Sequence, residues 1–324
     1  MPSMGFEDPL YGTVDFEGAP ARVIEHPAIQ RLKRVHQNGG LFLINPEMDT
    51  SRFEHTLGVA ALCKRFGAGE REVIAALVHD VGHTAFSHVA DHVLDRADQA
   101  FHEDSVGKVV KEYELDEYLA DLGFDPETVL DPDGFSILEQ ELPDLCADRL
   151  DYQLRDVFKY GLIDRSAVDA ILARVTVADG QLVAANRETA HKLVDLSLLL
   201  QRQVYFKKRH EGVNLVLTDL LEQALKTDSL TVDDLFQTDQ EILETLRTKT
   251  EYSETLAAID RNLTINRVSS QTPYTITRKR RTMDPRVAGT DQRISELDPT
   301  AARKLTAFRE NVPMQQRYAI TLTT

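Results

Sequence analysis

Residues 79–92 read HDVGHTAFSHVADH, and hold four of the chain's ten histidines beside Asp80 and Asp91. The preceding EREVIAALV sets Val73, Ile74, Leu77 and Val78 on one apolar stripe, so the helix that delivers His79 and Asp80 has a covered end. Side chains one position apart on a helix point about 100° apart, so both cannot sit in the core. A buried aspartate beside a buried histidine is costly unless something compensates, and a divalent cation does so directly. Taken alone, a His-Asp pair is ordinary and is usually no ligand set.

Two other helices supply further donors. Ser51-Arg-Phe-Glu54 is a capping box opening SRFEHTLGVAALCKRF, with His55 one turn inside, Arg52 at i−3 and Gly67 suited to the C-terminal stop. After Pro143, DLCADRLDYQLRDVFKYG carries Asp148, Tyr152, Arg155 and Asp156 at offsets 0, 4, 7 and 8, which share a face, with Asp144 as its expected N-cap. Each segment has a bland reading: a satisfied core histidine, or a solvated polar face. Two imidazoles and two carboxylates from three helices together suit a divalent ion with positions left open for water and phosphate oxygens.

The bulk properties frame this chemistry. A chain of 324 residues, 42% hydrophobic and 28% charged, is ordinary for a globular protein with a sizeable core. Its net charge of −16 argues against non-specific nucleic-acid binding, and a polyanionic substrate would need a local basic site or a metal. Arg278-Lys279-Arg280-Arg281 is a short basic tract whose ordinary reading is a solvated strand. No apolar run reaches the roughly 18–20 residues that span a bilayer. MPSMGFEDPL lacks the basic and apolar regions of a signal peptide, so a cytoplasmic location is expected. Cys63 and Cys146 lack metal-type spacing and read as buried thiols.

Helix dominates the pattern. The first fifty residues begin irregularly, with a short helix expected over 25–37, and further helices are expected over about 103–122, 187–209 and 213–225. RVTVADGQLVAA alternates around Asp179-Gly180, a hairpin signal, and PYTIT and YAITLT are β-like pieces of a polar C-terminal part. The expected fold is mainly α: a helical bundle over residues 1–210 with its core at about 51–160, then 211–324 as a helical region with a small β contribution.

The H…HD…D set, together with FEDPLYGTV, HPAIQRLKRVHQNGG, SRFEHTLGV, HDVGHTAFSH, FHEDS and DRLDYQLRD, resembles the HD-domain phosphohydrolases, and within them the deoxynucleoside triphosphate triphosphohydrolases. The resemblance runs in order over about residues 6–210 and fades beyond. It implies that His55, His79, Asp80 and Asp148 hold one divalent metal (Mn, Fe, Co, Ni or Zn fit such donors), with Mg accompanying the substrate phosphates. It implies that Asp91 orients His102, with Glu103 nearby, to protonate the leaving 5′-oxygen. Arg52, His83, His88 and Arg149 would contact phosphates; Gln37, Tyr152 and Asp156 the sugar; Tyr205 and Lys208 a more distant part of the substrate; His92 would be an exposed residue without a role. Glu25, Gln30 and Lys33 stand where related enzymes carry other choices, which speaks against nucleotide activation. Implied with the family are a nucleotide substrate and a homo-oligomer, dimer or tetramer; the rivals are another HD-type nucleotidase or phosphodiesterase, and a non-catalytic nucleotide sensor or nucleic-acid-binding module.

Overall fold

Ser51 Oγ accepts from the Glu54 amide at 3.1 Å and Glu54 Oε2 accepts from the Ser51 amide at 2.9 Å, so the capping box forms and starts the helix Arg52–Arg65. The computed structural model describes residues 2–94, 101–267 and 274–322, without the side chains of 101–104, 260–263, 265–267 and 322. Gly67 ends that helix with φ +81°, the left-handed turn that glycine takes at no steric cost. Helix Glu70–Val78 then packs back on Arg52–Arg65, and Ala147–Lys159 lies on its other side. Among the described residues there are sixteen α-helical segments and seven short strands in three small antiparallel sheets, the mainly α fold that the patterning predicts.

Several boundaries differ from the sequence reading. The N-terminal residues are not irregular: Ser3–Asp8 and Gly12–Glu17 pair as a hairpin whose turn is held by Asp8 Oδ1, which accepts from Leu10 N at 2.7 Å and Tyr11 N at 3.1 Å. The segment 25–37 is only helical over Pro27–Arg31 and a 3₁₀ turn Leu32–Arg34, since His36 bridges to Ser51. The helix expected over 103–122 is two, Phe101–Glu112 and Leu115–Asp121, broken where Glu114 takes φ +53°. Asp144 is not an N-cap: its carboxylate binds Arg293 at 2.8 Å, and Cys146 Sγ caps Ala147–Lys159 instead. Arg187–Leu200 passes into a π-helical turn, Gln201–Tyr205, and helix Lys208–Lys226 starts afresh. The hairpin about Asp179-Gly180 forms as expected.

One apolar core runs from Leu10 and Ile29 through Leu57, Leu77, Leu154 and Leu198 to Leu305 and Phe308. A second joins Ala85, Phe86 and Val89 to Val213, Leu217 and Ile242. Both cysteines are buried free thiols, and among the described residues no helix is long and apolar enough to cross a membrane.

His36 is held between two carboxylates. Its Nε2 lies 2.8 Å from Asp49 Oδ1 and its Nδ1 2.5 Å from Asp239 Oδ2. Burial lowers its pKa, but the two carboxylates outweigh burial and raise it from 6.5 to about 9. A histidine whose folded pKa exceeds its unfolded value stabilises fully below the unfolded pKa and loses that contribution as pH rises to the folded one. Stability should therefore fall between about pH 6.5 and 9 by up to about 3 kcal/mol from this group. Urea melts from pH 6 to 9.5 check it: His36→Asn should flatten the slope, and an unchanged slope contradicts the assignment.

Candidate metal centre and active-site cavity

The three helices bring His55, His79, Asp80 and Asp148 together. His55 Nε2 lies 2.9 Å from Asp148 Oδ1 and 3.7 Å from Asp80 Oδ2; His79 Nε2 lies 3.5 Å from Asp80 Oδ1 and 3.7 Å from Asp148 Oδ1. His79 Nδ1 donates to the Ala76 carbonyl at 2.8 Å, which fixes the proton there and turns the Nε2 lone pair inward. That Nε2 is buried and makes no hydrogen bond among the described residues. His55 Nδ1 meets Asp151 Oδ2 at 2.8 Å, leaving its Nε2 toward the cluster in the same way. Burial opposes charge on His55, yet Asp148, Asp151 and Asp80 raise its pKa to about 10; His79 rises too, with burial outweighed by Asp80 and Asp148. The carboxylates thus demand positive charge that two imidazoles meet only by protonation. An orphaned imidazole nitrogen and this surplus negative charge fit a divalent cation.

Asp151 is the residue that sequence reasoning missed. Its Oδ1 accepts from Tyr11 Oη at 2.7 Å and Arg155 Nη2 at 2.8 Å, and its Oδ2 from Arg155 Nε at 3.0 Å, while Arg155 Nη2 also reaches Asp8 Oδ2 at 2.9 Å. Arg155, placed by helical offsets on the site face, is instead fully buried in this network. The helices cross closely because position 58 is glycine: a Cβ there would sit 2.1 Å from Asp151 Oδ1. The pair Asp151…Arg155 at i,i+4 was the available signal.

The loop after His79 carries His83 and His88 through two consecutive left-handed residues, Phe86 at φ +56° and Ser87 at φ +51°. Such strain costs on the order of 1–3 kcal/mol per residue and persists only where the surroundings impose it. Here Arg31 donates to the carbonyls of Val81 at 2.8 Å and His83 at 2.7 Å, Asp239 Oδ1 accepts from Phe86 N at 2.6 Å, and Arg52 Nε donates to Ser87 Oγ at 2.9 Å. Arg52 Nη1 also binds Asp80 Oδ2 at 2.9 Å, and His83 Nε2 lies 3.3 Å from Asp80 Oδ1. Asp91 Oδ2 holds His88 Nδ1 at 3.0 Å. His102 and Glu103 are on helix Phe101–Glu112, but their side chains lie outside the described residues.

A cavity of about 950 Å³ opens on this cluster. Gln37, Arg52, His79, Asp80, His83, His88, Asp148, Arg149, Tyr152 and Tyr205 line it as expected. His92, expected to be exposed, is half-buried at its rim. Arg149 donates to the Gln140 carbonyl at 2.9 Å and lies 3.4 Å from Glu139. Asp156 is buried behind the lining, accepting from Tyr205 Oη at 2.7 Å and Asn38 Nδ2 at 3.0 Å. Lys208 does not reach the cavity: the chain breaks at Lys207, the new helix resets the facing residues, and Lys208 is exposed while His210, Glu211 and Asn214 line the wall. The basic tract is not a solvated strand. Arg278 forms a buried bidentate pair with Glu211 at 2.5 and 2.7 Å, Arg280 donates to the carbonyls of Arg309 and Val312, and Arg281 faces the cavity.

Comparison with known proteins agrees with this geometry. The sequence profile of the HD domain matches residues 52–131, the span holding His55, His79 and Asp80. Uncharacterized protein YdhJ of Bacillus subtilis is 32% identical over 321 residues, covering 93% of this chain and 96% of its own length. Metal-dependent phosphohydrolase cns2 of Cordyceps militaris is 29% identical over 242 residues, covering 70% and 69%. The mouse deoxynucleoside triphosphate triphosphohydrolase SAMHD1 is 36% identical over 101 residues, covering 26% of this chain and 15% of that one. A relative matched over 96% of its length, and a profile that starts on the helix carrying His55, make the assignment: the chain belongs to the HD-domain superfamily of metal-dependent phosphohydrolases.

Proposed function

We propose that the protein cleaves deoxynucleoside triphosphates to deoxynucleoside and triphosphate. The observation that carries this reading is the helix Ala147–Lys159, which sets Asp148 and the Tyr152 ring on successive turns of one cavity wall, with the Asp156 carboxylate buried one turn further, behind that wall. The Tyr152 ring centre stands 6.5 Å from that of His55, and on this reading its bulk would crowd a ribose 2′-hydroxyl. Asp156, behind the lining, accepts from Tyr205 Oη and Asn38 Nδ2, so it would act on a sugar hydroxyl through these two lining residues. Gln37 Oε1 is buried with no hydrogen-bond partner among the described residues, a polar group suited to a ligand donor.

A divalent ion held by His55, His79, Asp80 and Asp148 would supply Lewis acidity and a bound water of lowered pKa. The chain's own groups do the rest. Arg52 neutralises phosphate charge at the cost of sharing itself with Asp80, and Arg149 serves the outer phosphates. The leaving 5′-oxygen needs a proton from an imidazole oriented by Asp91. His88 is so oriented, while His102 is the donor implied by resemblance. Burial chiefly, with the Arg281 and Arg52 charges, lowers the His88 pKa to about 4 against the pull of Asp91, so the triphosphate's own charge must draw the proton on. Cytoplasmic location and a homo-oligomer remain part of this proposal, and a nucleic-acid role is disfavoured because Arg278 and Arg280 are spent on internal contacts.

The test is a chromatographic product assay with each dNTP and NTP in Mn²⁺, Mg²⁺ or Co²⁺. Deoxynucleoside with intact triphosphate is the expected result. Phosphate release from monophosphates alone would move the protein to the nucleotidase reading. Tyr152→Ala should narrow the preference for dNTPs over NTPs by about 10-fold or more, comparing kcat/KM; an unchanged ratio removes Tyr152 from sugar selection.

A further inference from the structure

Four arginines around the centre have carboxylate partners: Arg52 has Asp80, Arg149 has Glu139, Arg155 has Asp8 and Asp151, and Arg278 has Glu211. Arg281 has none among the described residues, although it lines the cavity of a chain carrying a net charge of −16. Its Nη2 lies 3.3 Å from His88 Nε2. A guanidinium only donates, so His88 Nε2 is the acceptor and His88 Nδ1 carries the proton toward Asp91. A neutral imidazole is a weak partner for a cation placed at such an opening.

The backbone of Arg281 is also held by devices of its own. Gln201 Oε1 accepts from Arg281 N at 3.0 Å, and Gln153 Nε2 donates to the Arg281 carbonyl at 3.2 Å. Both glutamines are buried, Gln153 at 0% and Gln201 at 1% exposure. Gln153 sits on the helix that carries Asp148, and Gln201 opens the π-helical turn Gln201–Tyr205, an irregularity that recurs at functional sites. Two buried amides spent on one residue's backbone fix where its side chain can reach. Two positions on, Met283 N donates to Ser197 Oγ at 3.1 Å, which continues the anchoring.

We propose that Arg281 is a ligand for the substrate's phosphates, delivered into the cavity from the C-terminal segment and held there by Gln153 and Gln201 as positioning residues. This rests on reading the cavity as a phosphate-ester site. On binding, the guanidinium exchanges the His88 nitrogen for phosphate oxygens, for which its planar fork is the better match, and leaves His88 Nε2 facing the substrate.

The test uses the metal-loaded full chain and two readouts. In calorimetric titration with magnesium tripolyphosphate, Arg281→Gln should weaken binding about 10- to 100-fold, and Arg281→Lys, which keeps the charge but loses the fork, should fall between. In steady-state hydrolysis of the preferred dNTP, Arg281→Gln should raise KM more than it lowers kcat. Gln201→Met should weaken tripolyphosphate binding in the wild type and cost nothing further in the Arg281→Gln background, a coupling that general loosening of the fold would not produce. Tripolyphosphate binding unaltered in both Arg281 variants would overturn the proposal, as would a wild type that does not bind tripolyphosphate. Arg281-dependent binding in a protein that turns over no dNTP would leave Arg281 in place and remove the proposed substrate alone.

Discussion

Replacing Asp80 with asparagine should lower hydrolysis by about a thousandfold or more, equivalent to about 4 kcal/mol of barrier, because it removes a charge that the centre uses twice. Its Oδ1 side meets His79 and His83, and its Oδ2 side meets Arg52 and approaches His55. Burial disfavours the carboxylate, yet Arg52, His79 and His83 hold its pKa well below the ordinary value, so it is charged at any working pH. An amide of the same shape keeps one acceptor oxygen, turns the other into a donor, and loses the attraction for a cation. Metal content by mass spectrometry and turnover should fall together in one preparation. Full metal occupancy with turnover within tenfold of wild type would remove Asp80 from the ligand set. Asp80→Asn should also reduce thermal stability, since Arg52 is then a buried cation without its counter-charge.

The second large effect is expected at a residue that touches no metal. Asp151→Asn should destabilise the fold by about 3–5 kcal/mol, because Arg155 loses one of two carboxylates in a fully buried site. It should also weaken metal binding by about 10- to 100-fold, since the His55 Nδ1 proton loses its charged acceptor and must compete with Arg155 and Tyr11 for one amide oxygen. For a chain of this size, the stability loss corresponds to a melting temperature lower by roughly 4–7 °C. Gly58→Ala provides a check from outside the network: its methyl would collide with Asp151 Oδ1 and with Arg155 Nη2 at 2.2 Å, and should reproduce both losses. Normal metal affinity in Asp151→Asn, with only the melting temperature reduced, would show that Asp151 serves the fold and not the ligand.

What the sequence made legible follows from range. The capping box at Ser51 and Glu54, the stop at Gly67 and the hairpin at Asp179-Gly180 are local devices, set by neighbours within a few residues, and the structure has all three. The meeting of His55, His79, Asp80 and Asp148 was legible because two stand side by side and the others sit where the helix pattern is strong. Long-range pairing was not legible. Nothing near Asp144 signals its ion pair with Arg293, which displaced it from the capping role, and Arg155 reads as a polar-face residue until Asp8 and Tyr11 arrive from the N-terminal hairpin. Glu114 left no breaker signal, because a charged residue at φ +53° looks like any helix former in sequence. Charge tracts were the least informative: Arg278, Arg280 and Arg281, adjacent or nearly so, take three separate tasks that only the fold distinguishes.

The cavity wall also bears on how the chain is made. Synthesis releases the N-terminal parts first, and a non-local contact must wait for both of its ends. His55, His79, Asp80 and Asp148 all precede residue 149, whereas Arg281, which lines the same cavity, lies 128 residues beyond Gln153. Ala301, Leu305 and Phe308 share one core with Leu10 and Ile29, so until the helix Pro299–Asn311 emerges the apolar faces near the start of the chain stay partly uncovered. A ribosome paused before that point holds a chain with the segments that carry His55, His79, Asp80 and Asp148 but without the helix that completes their core.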